Sequence, residues 1–69
     1  MDRTVREKTA ARIYCATLTA LRDRGVAYEL ANEVSRILER ETAIGVSYQR
    51  TENEQEIINK VLPLLMGNH

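Results

Sequence analysis

The stretch that decides the fold runs from Leu21 to Val34 and reads LRDRGVAYELANEV. Apolar residues recur at helical spacing on both sides of Gly25. Glycine adopts positive φ without a steric penalty, so we expect Gly25 to end the first helix at the C′ position. A connection this short favours antiparallel neighbours, and the stretch therefore predicts a helical hairpin.

Two amphipathic helices form this hairpin in the prediction. The first is long and runs from Thr4 to Arg24, and its apolar face is rich in alanine, which lets another helix approach closely. The second spans residues 27–42. An irregular stretch follows over residues 43–51, where Gly45 permits a break.

The third helix has the clearest start signal in the chain. Thr51-Glu52-Asn53-Glu54 fits a capping box, in which Thr51 and Glu54 each accept a hydrogen bond from the other's backbone N–H. Pro63 removes a backbone donor, so we expect this helix to kink or stop near Leu62. The whole chain, residues 1–69, is predicted to be one all-α domain, a small three-helix bundle.

Composition limits the chemistry that the chain can perform. Sixty-nine residues allow one domain with a core worth about 3–5 kcal/mol net. Cys15 is the single cysteine and His69, the terminal residue, is the single histidine. A disulfide within the chain is therefore excluded, no zinc spacing exists, and Cys15 has no histidine placed as its base. We predict no cofactor, no metal and no enzymatic activity.

The apolar and charged residues point to a cytoplasmic protein without a membrane segment. The longest apolar run, Val61–Met66, is far shorter than the roughly 20 residues that cross a bilayer. No apolar signal-peptide core follows the N-terminus, and an unpaired thiol is typical of the cytoplasm. The net charge is zero, but residues 1–24 carry six basic and three acidic side chains, while residues 25–41 carry two basic and four acidic ones. A net charge of zero argues against nucleic-acid binding by the whole chain, and the uneven distribution of charge suits pairing of unlike surfaces.

Glu41 is the most unusual residue of the second helix. At about 100° per residue it falls on the apolar stripe that contains Leu30, Val34 and Ile37. One interpretation is that the helix leaves the core here and the carboxylate is solvated, and this is the one we adopt. A second is that it pairs with an arginine of another helix or subunit, because a buried carboxylate without a partner is costly, and a third is that it is a titrating functional acid. For such a pair, Arg12, Arg24 or Arg50 would have to approach.

The helix–Gly–helix segment also resembles ribbon-helix-helix repressors. The resemblance covers about 20 residues and rests on Gly25 and the helical spacing around it. It implies a short strand over residues 3–8 that pairs with its twin, with Thr4, Arg6 and Lys8 entering the major groove of DNA. The alternative is that the first helix extends through this segment.

We interpret the protein as a non-enzymatic interaction or regulatory module that acts through an oligomeric helical surface. The alternative function is that of a small dimeric DNA-binding regulator. More apolar surface is expected than one copy hides, so we predict a homodimer or a docking module for another protein. The expected contact residues are Tyr14, Leu18, Ile37, Glu41, Ile44, Tyr48, Arg50, Leu62, Leu65 and Met66.

Overall fold

The computed structural model describes the backbone of residues 3–66 and the side chains of residues 4–66. Three helices make up this part of the chain: α1 (Arg3–Asp23), α2 (Tyr28–Ile44) and α3 (Glu52–Leu65). No strand occurs among the described residues. The all-α prediction is confirmed, and the arrangement is a small three-helix bundle.

The turn between α1 and α2 is a Schellman motif centred on Gly25. Val26 N donates to Leu21 O at 3.0 Å, and Gly25 N donates to Arg22 O at 3.0 Å. Gly25 has a φ of 83°, as the sequence predicted. Leu21 and Val26 are both buried in the core, so the turn also carries the apolar contact that accompanies this motif.

The second helix is longer than the sequence predicted. It continues through Thr42 to Ile44, because the stop is supplied by Gly45, whose φ is 93°. Gly45 N donates to Glu41 O at 2.9 Å and closes the last turn. The connection to α3 therefore comprises residues 45–51 rather than 43–51.

The third helix begins as predicted, and of the two outcomes expected near Leu62, a kink or a stop, the stop does not occur. Glu54 N donates to Thr51 Oγ1 at 3.1 Å, and Thr51 N donates to Glu54 Oε1 at 2.9 Å, so the capping box is present. The helix passes through Pro63 and ends at Leu65. Proline removes only its own N–H, and the ladder resumes when Met66 N donates to Leu62 O at 2.9 Å.

Residues 3–8 are helical and belong to α1. The strand that a ribbon-helix-helix arrangement requires is therefore not formed. Thr4, Arg6 and Lys8 are two residues apart, which places neighbours about 200° from each other on a helix rather than on one face. A helix therefore does not place these three side chains together in a groove of DNA.

The core lies where the three helices meet. Val34 and Ile58 are buried at its centre, and Ser35, also buried, donates from Oγ to Ala31 O at 2.7 Å. Because the Ser35 hydroxyl has this partner, its burial leaves no unsatisfied donor. The buried core cluster consists of Leu21, Val26, Ala31, Val34, Ile37, Ile58 and Val61.

Two contacts show that α1 and α2 are antiparallel, as predicted. Near the middle, the Tyr14 hydroxyl donates to Asn32 Oδ1, and the Arg36 guanidinium lies 5.6 Å from the centre of the Tyr14 ring. At the far end of the hairpin, Arg6 near the start of α1 lies beside Gly45 at the end of α2. At the opposite end of the molecule, Arg24 Nε donates to Leu64 O at 3.1 Å and joins α3 to the end of α1.

No helix within residues 3–66 combines the length and the apolar character that crossing a membrane requires.

Replacing Gly25 by alanine tests the turn. A β-carbon at Gly25 meets no atom within 4 Å, so the penalty is conformational alone. We expect Gly25→Ala to lower the free energy of unfolding by about 1–2 kcal/mol, measured by urea denaturation. Gly25→Asn is the matched control, since asparagine tolerates positive φ better, and it should lose less. Equal losses for the two variants would contradict this account.

Candidate interaction surface

The corner where α2 turns into α3 is held by an ion pair between Glu41 and Arg50. Arg50 donates from Nε to Glu41 Oε2 and, at 3.0 Å, from Nη2 to Glu41 Oε1, which is a bidentate contact. Arg50 Nη1 also donates to Gln55 Oε1 at 3.2 Å. The side chains of Arg50 and Glu41 are 29% and 31% exposed, respectively. The interpretation of Glu41 as a solvated carboxylate is therefore wrong. It pairs with an arginine, as the alternative expected, but this arginine lies in the loop of the same chain rather than on another helix or subunit.

A second set of contacts surrounds Glu54 at the start of α3. The Tyr48 hydroxyl donates to Glu54 Oε2 at 2.5 Å, and Arg40 Nη1 lies 3.5 Å from the same oxygen. Glu54 Oε1 is already bound to the Thr51 backbone. The Glu54 side chain is only 13% exposed, so both of its oxygens are used to fix the loop and the helix start.

These contacts shift the ionisation of the groups involved. The hydrogen bond from Tyr48, followed by the one from the Thr51 backbone, lowers the pKa of Glu54. The same bond to Glu54 raises the pKa of Tyr48, because it favours the protonated phenol. The hydrogen bond to Glu41 raises the pKa of Arg50. These shifts favour an ionised Glu54, a neutral Tyr48 and a charged Arg50 at neutral pH.

Arg6 reaches this corner from α1. A β-carbon at Gly45 would lie 3.5 Å from Arg6 Nη1, so the guanidinium is next to the last turn of α2. The carbonyl groups of a helix C-terminus carry partial negative charge, which a cation stabilises. Arg6, assigned to DNA contact in the alternative interpretation, is half-buried and packs within its own chain.

Apolar side chains are exposed at the same end of the molecule. Val46 is fully exposed in the loop, Ile44 is 47% exposed at the end of α2, and Val5 is 46% exposed in the first turns of α1. We call Val5, Ile44 and Val46 the corner surface. Val5 precedes Arg6, whose guanidinium lies beside Gly45, so the three residues belong to the same end of the molecule.

The opposite end of the molecule carries a second group of exposed apolar side chains. Tyr28, Leu64 and Met66 are 55%, 40% and 73% exposed, respectively. They lie where α1 ends, α2 begins and α3 ends, the region joined by the bond from Arg24 to Leu64 O.

The residues that we predicted from sequence to form an interface divide into three groups. Ile37 is 3% exposed and lies within the core of its own chain. Those that pack partly against this core or bond within the chain are Tyr14, Leu18, Glu41, Tyr48, Arg50, Leu62 and Leu65. Ile44 and Met66 are the predicted contacts that lie exposed at the surface.

Sequence reasoning missed Val5 and Val46 as exposed apolar residues. Val5 falls within a basic segment, where helical periodicity cannot tell how far the partner helix extends. Val46 follows a glycine in a polar stretch, and this isolated apolar position was the sign in the sequence that its side chain could be exposed. Only the conformation of the loop places Val46 in solvent.

Other features of the described surface have structural explanations. An open depression of 590 Å³ along the outer side of α1 is lined largely by small side chains and arginines, with Cys15 among them. Cys15 is exposed and not part of a disulfide. Within residues 3–66 no three Cys, His, Asp or Glu side chains are grouped to hold a metal ion. His69 lies outside the described residues.

Comparison with known proteins does not assign the chain to a family. No model of a protein family matches the chain, and no significant match was found among curated proteins or solved structures.

Breaking the Glu41–Arg50 pair is expected to weaken the fold moderately. Because both side chains are about one-third exposed, we expect Glu41→Gln to lower the free energy of unfolding by about 1 kcal/mol in thermal or urea denaturation. Glu39→Gln on the same helix is the control, and should change stability by less than about 0.5 kcal/mol. Equal effects of the two substitutions would show that the ion pair adds nothing specific.

Acid should weaken the corner through Glu54. Its pKa is lower in the folded protein than in the unfolded chain, so its stabilising contribution is complete above the unfolded pKa, near 4.5, and is lost as the pH falls through the folded pKa. The melting temperature of the wild type should therefore fall more between pH 7 and pH 3 than that of Glu54→Gln. Parallel pH profiles for the two proteins would contradict the assignment.

Proposed function

We propose that this protein is a non-enzymatic interaction or regulatory module that presents the corner surface to another protein. The observation that carries the proposal is the full exposure of Val46, on a loop fixed at its far end by Arg50 and Tyr48. A mobile loop with an exposed valine would be unremarkable. Val46 lies instead between two backbone hydrogen bonds, because Gly45 N donates to Glu41 O at 2.9 Å and Tyr48 N donates to Gly45 O at 3.0 Å.

Physical magnitudes support this use of the surface. Full burial of an aliphatic side chain contributes about 1.5–3 kcal/mol, and Ile44 and Val46, on either side of Gly45, are two exposed side chains of this kind. Binding to a preorganised loop avoids most of the entropy cost of ordering it. The corner surface is small, so the proposed contact is moderate in strength unless the partner also covers neighbouring parts of the chain.

The roles of the corner carboxylates support a function without catalysis. Both oxygens of Glu41 are bound by Arg50, and both oxygens of Glu54 are used by Tyr48 and the capping box. Carboxylates bonded in this way stabilise the loop and the helix start, and their oxygens are not free to bind a substrate. We place the protein in the cytoplasm, because its exposed, unpaired Cys15 is typical of a reducing compartment.

Affinity capture with matched surface variants tests the proposal. The wild-type chain, Ile44→Asp/Val46→Asp and the control Tyr28→Asp/Met66→Asp are immobilised, and proteins retained from an extract of the source cells are quantified by mass spectrometry. We expect a partner retained by the wild type and the control, and at least about tenfold less of it on the corner variant.

The control carries the same number of new charges at the opposite end of the molecule, so it separates a specific loss from a general effect of acidity. Circular dichroism establishes that each variant is folded. Retention that is unchanged by Ile44→Asp/Val46→Asp, or reduced equally by both variants, would refute the corner surface as the binding site.

A further inference from the structure

The open depression of 590 Å³ on the outer side of α1 has a charged residue of opposite sign at each end. Arg12 stands at one end and Asp23 at the other, and both are exposed. Arg24 also lines the depression, but it donates to Ala20 O and Leu64 O of its own chain. The small side chains between the two ends are Cys15, Ala16, Thr19 and Ala20.

The two end charges are unpaired. Within residues 4–66 neither Arg12 nor Asp23 forms an ion pair or a side-chain hydrogen bond. They are separated by about three helical turns, which is about 16 Å along α1 and about 20° around it. A single line along the exposed side of the helix therefore begins with a free cation and ends with a free anion.

This line of residues is symmetric about its midpoint. Arg12 and Asp23 are equally far from the midpoint, and the four small residues fall into two pairs with the same property. The pairs are Ala16 with Thr19 and Cys15 with Ala20. When two identical helices pack antiparallel about a two-fold axis at this midpoint, residues equally far from it come to the same level. Each Arg12 then meets the partner's Asp23, and this contact occurs twice.

We propose that a second copy of this chain occupies the depression, so that two α1 helices pack antiparallel in a homodimer. Charge complementarity identifies the occupant. A two-fold contact uses the same face of both copies, so the face must be complementary to itself. A uniformly basic or acidic face would repel its own copy, whereas a line that runs from Arg12 to Asp23 attracts it when reversed.

The shape of the depression suits the same occupant. Small side chains at the centre of a contact let two helix axes approach to about 8 Å, the short end of the usual range. The core-facing residues Ala10 and Leu21 lie on the opposite side of α1, so this contact leaves the monomer core unchanged. The depression extends over only about 18 Å of helix, so we expect association at about 100 μM rather than at nanomolar concentrations.

Reversing one end charge tests the contact. In Arg12→Glu the new carboxylate faces the partner's Asp23, and we expect an association constant at least about tenfold below that of the wild type in sedimentation equilibrium. Lys60→Glu is the matched control, because it makes the same change of charge at an exposed position on α3. Circular dichroism establishes that both variants are folded. Equal association of Arg12→Glu and Lys60→Glu would overturn the proposal.

A mixture of complementary variants tests the pairing itself. Asp23→Arg, like Arg12→Glu, places like charges opposite each other in a dimer of its own kind. In a dimer of one chain of each kind, every charge meets its opposite. We therefore expect the equimolar mixture to associate at least about tenfold more strongly than either variant alone. A mixture no stronger than its components would refute the contact between Arg12 and the partner's Asp23.

The thiol of Cys15 reports where the copies meet. It is exposed in the single chain and lies beside the midpoint of the proposed contact. Its reaction with a bulky maleimide should slow, as protein concentration rises, by the factor by which dimerisation lowers the monomer fraction. In Arg12→Glu the rate should stay constant over the same range. A wild-type dimer whose Cys15 reacts as fast as that of the monomer would exclude this face of α1.

The proposed contact does not involve Ile44 or Val46, so its failure and that of the corner surface are distinguishable. Ile44→Asp/Val46→Asp should abolish capture of another protein and leave self-association unchanged. A wild-type chain that remains monomeric at about 1 mM would overturn the dimer without touching the corner surface. Loss of self-association in Ile44→Asp/Val46→Asp would assign the contact between copies to the corner and refute the one along α1.

Discussion

The structure depends most on how a carboxylate on an apolar helix stripe is neutralised. Glu41 lies one turn beyond Ile37, on the face that α2 turns toward the core. A carboxylate there is costly unless a cation and hydrogen bonds replace its water. Arg50 meets both needs with a bidentate contact and also reaches Gln55 of α3. This ion pair therefore ties the loop and the start of α3 to the end of α2.

Local contacts stabilise the hairpin and α3 separately, and long-range contacts join these two parts of the bundle. The hairpin has its own glycine turn and the Tyr14–Asn32 bond, and α3 has its own capping box. The apolar core is the one feature that all three helices share, and polar contacts at the two ends of α3 set its orientation over the hairpin. The most exposed valine, Val46, lies in the connection between the hairpin and α3.

The predictions that succeeded concern residues whose effect is local. Gly25 ends a helix because only glycine adopts its φ cheaply, and Thr51 caps α3 through neighbours three residues away. Of the kink or stop expected near Leu62, the stop does not occur, because the loss of one hydrogen bond is tolerated in the last turn of a helix. The interpretation of Glu41 was wrong for another reason: no pattern within α2 shows that the loop returns an arginine to it. The interface prediction could not separate Ile37 from Ile44, since helical periodicity does not reveal how far the neighbouring helices cover a face.

The sequence by itself determined three helices, their antiparallel hairpin and the start of α3, because turns, caps and amphipathic faces act over one or two helical turns. Only the tertiary structure decided that Glu41 meets Arg50, that Ile37 is buried while Ile44 is exposed, and that Val46 lies fully in solvent. These facts depend on where the loop crosses the bundle and on how much of each face α1 and α3 cover. The packing of whole helices sets both.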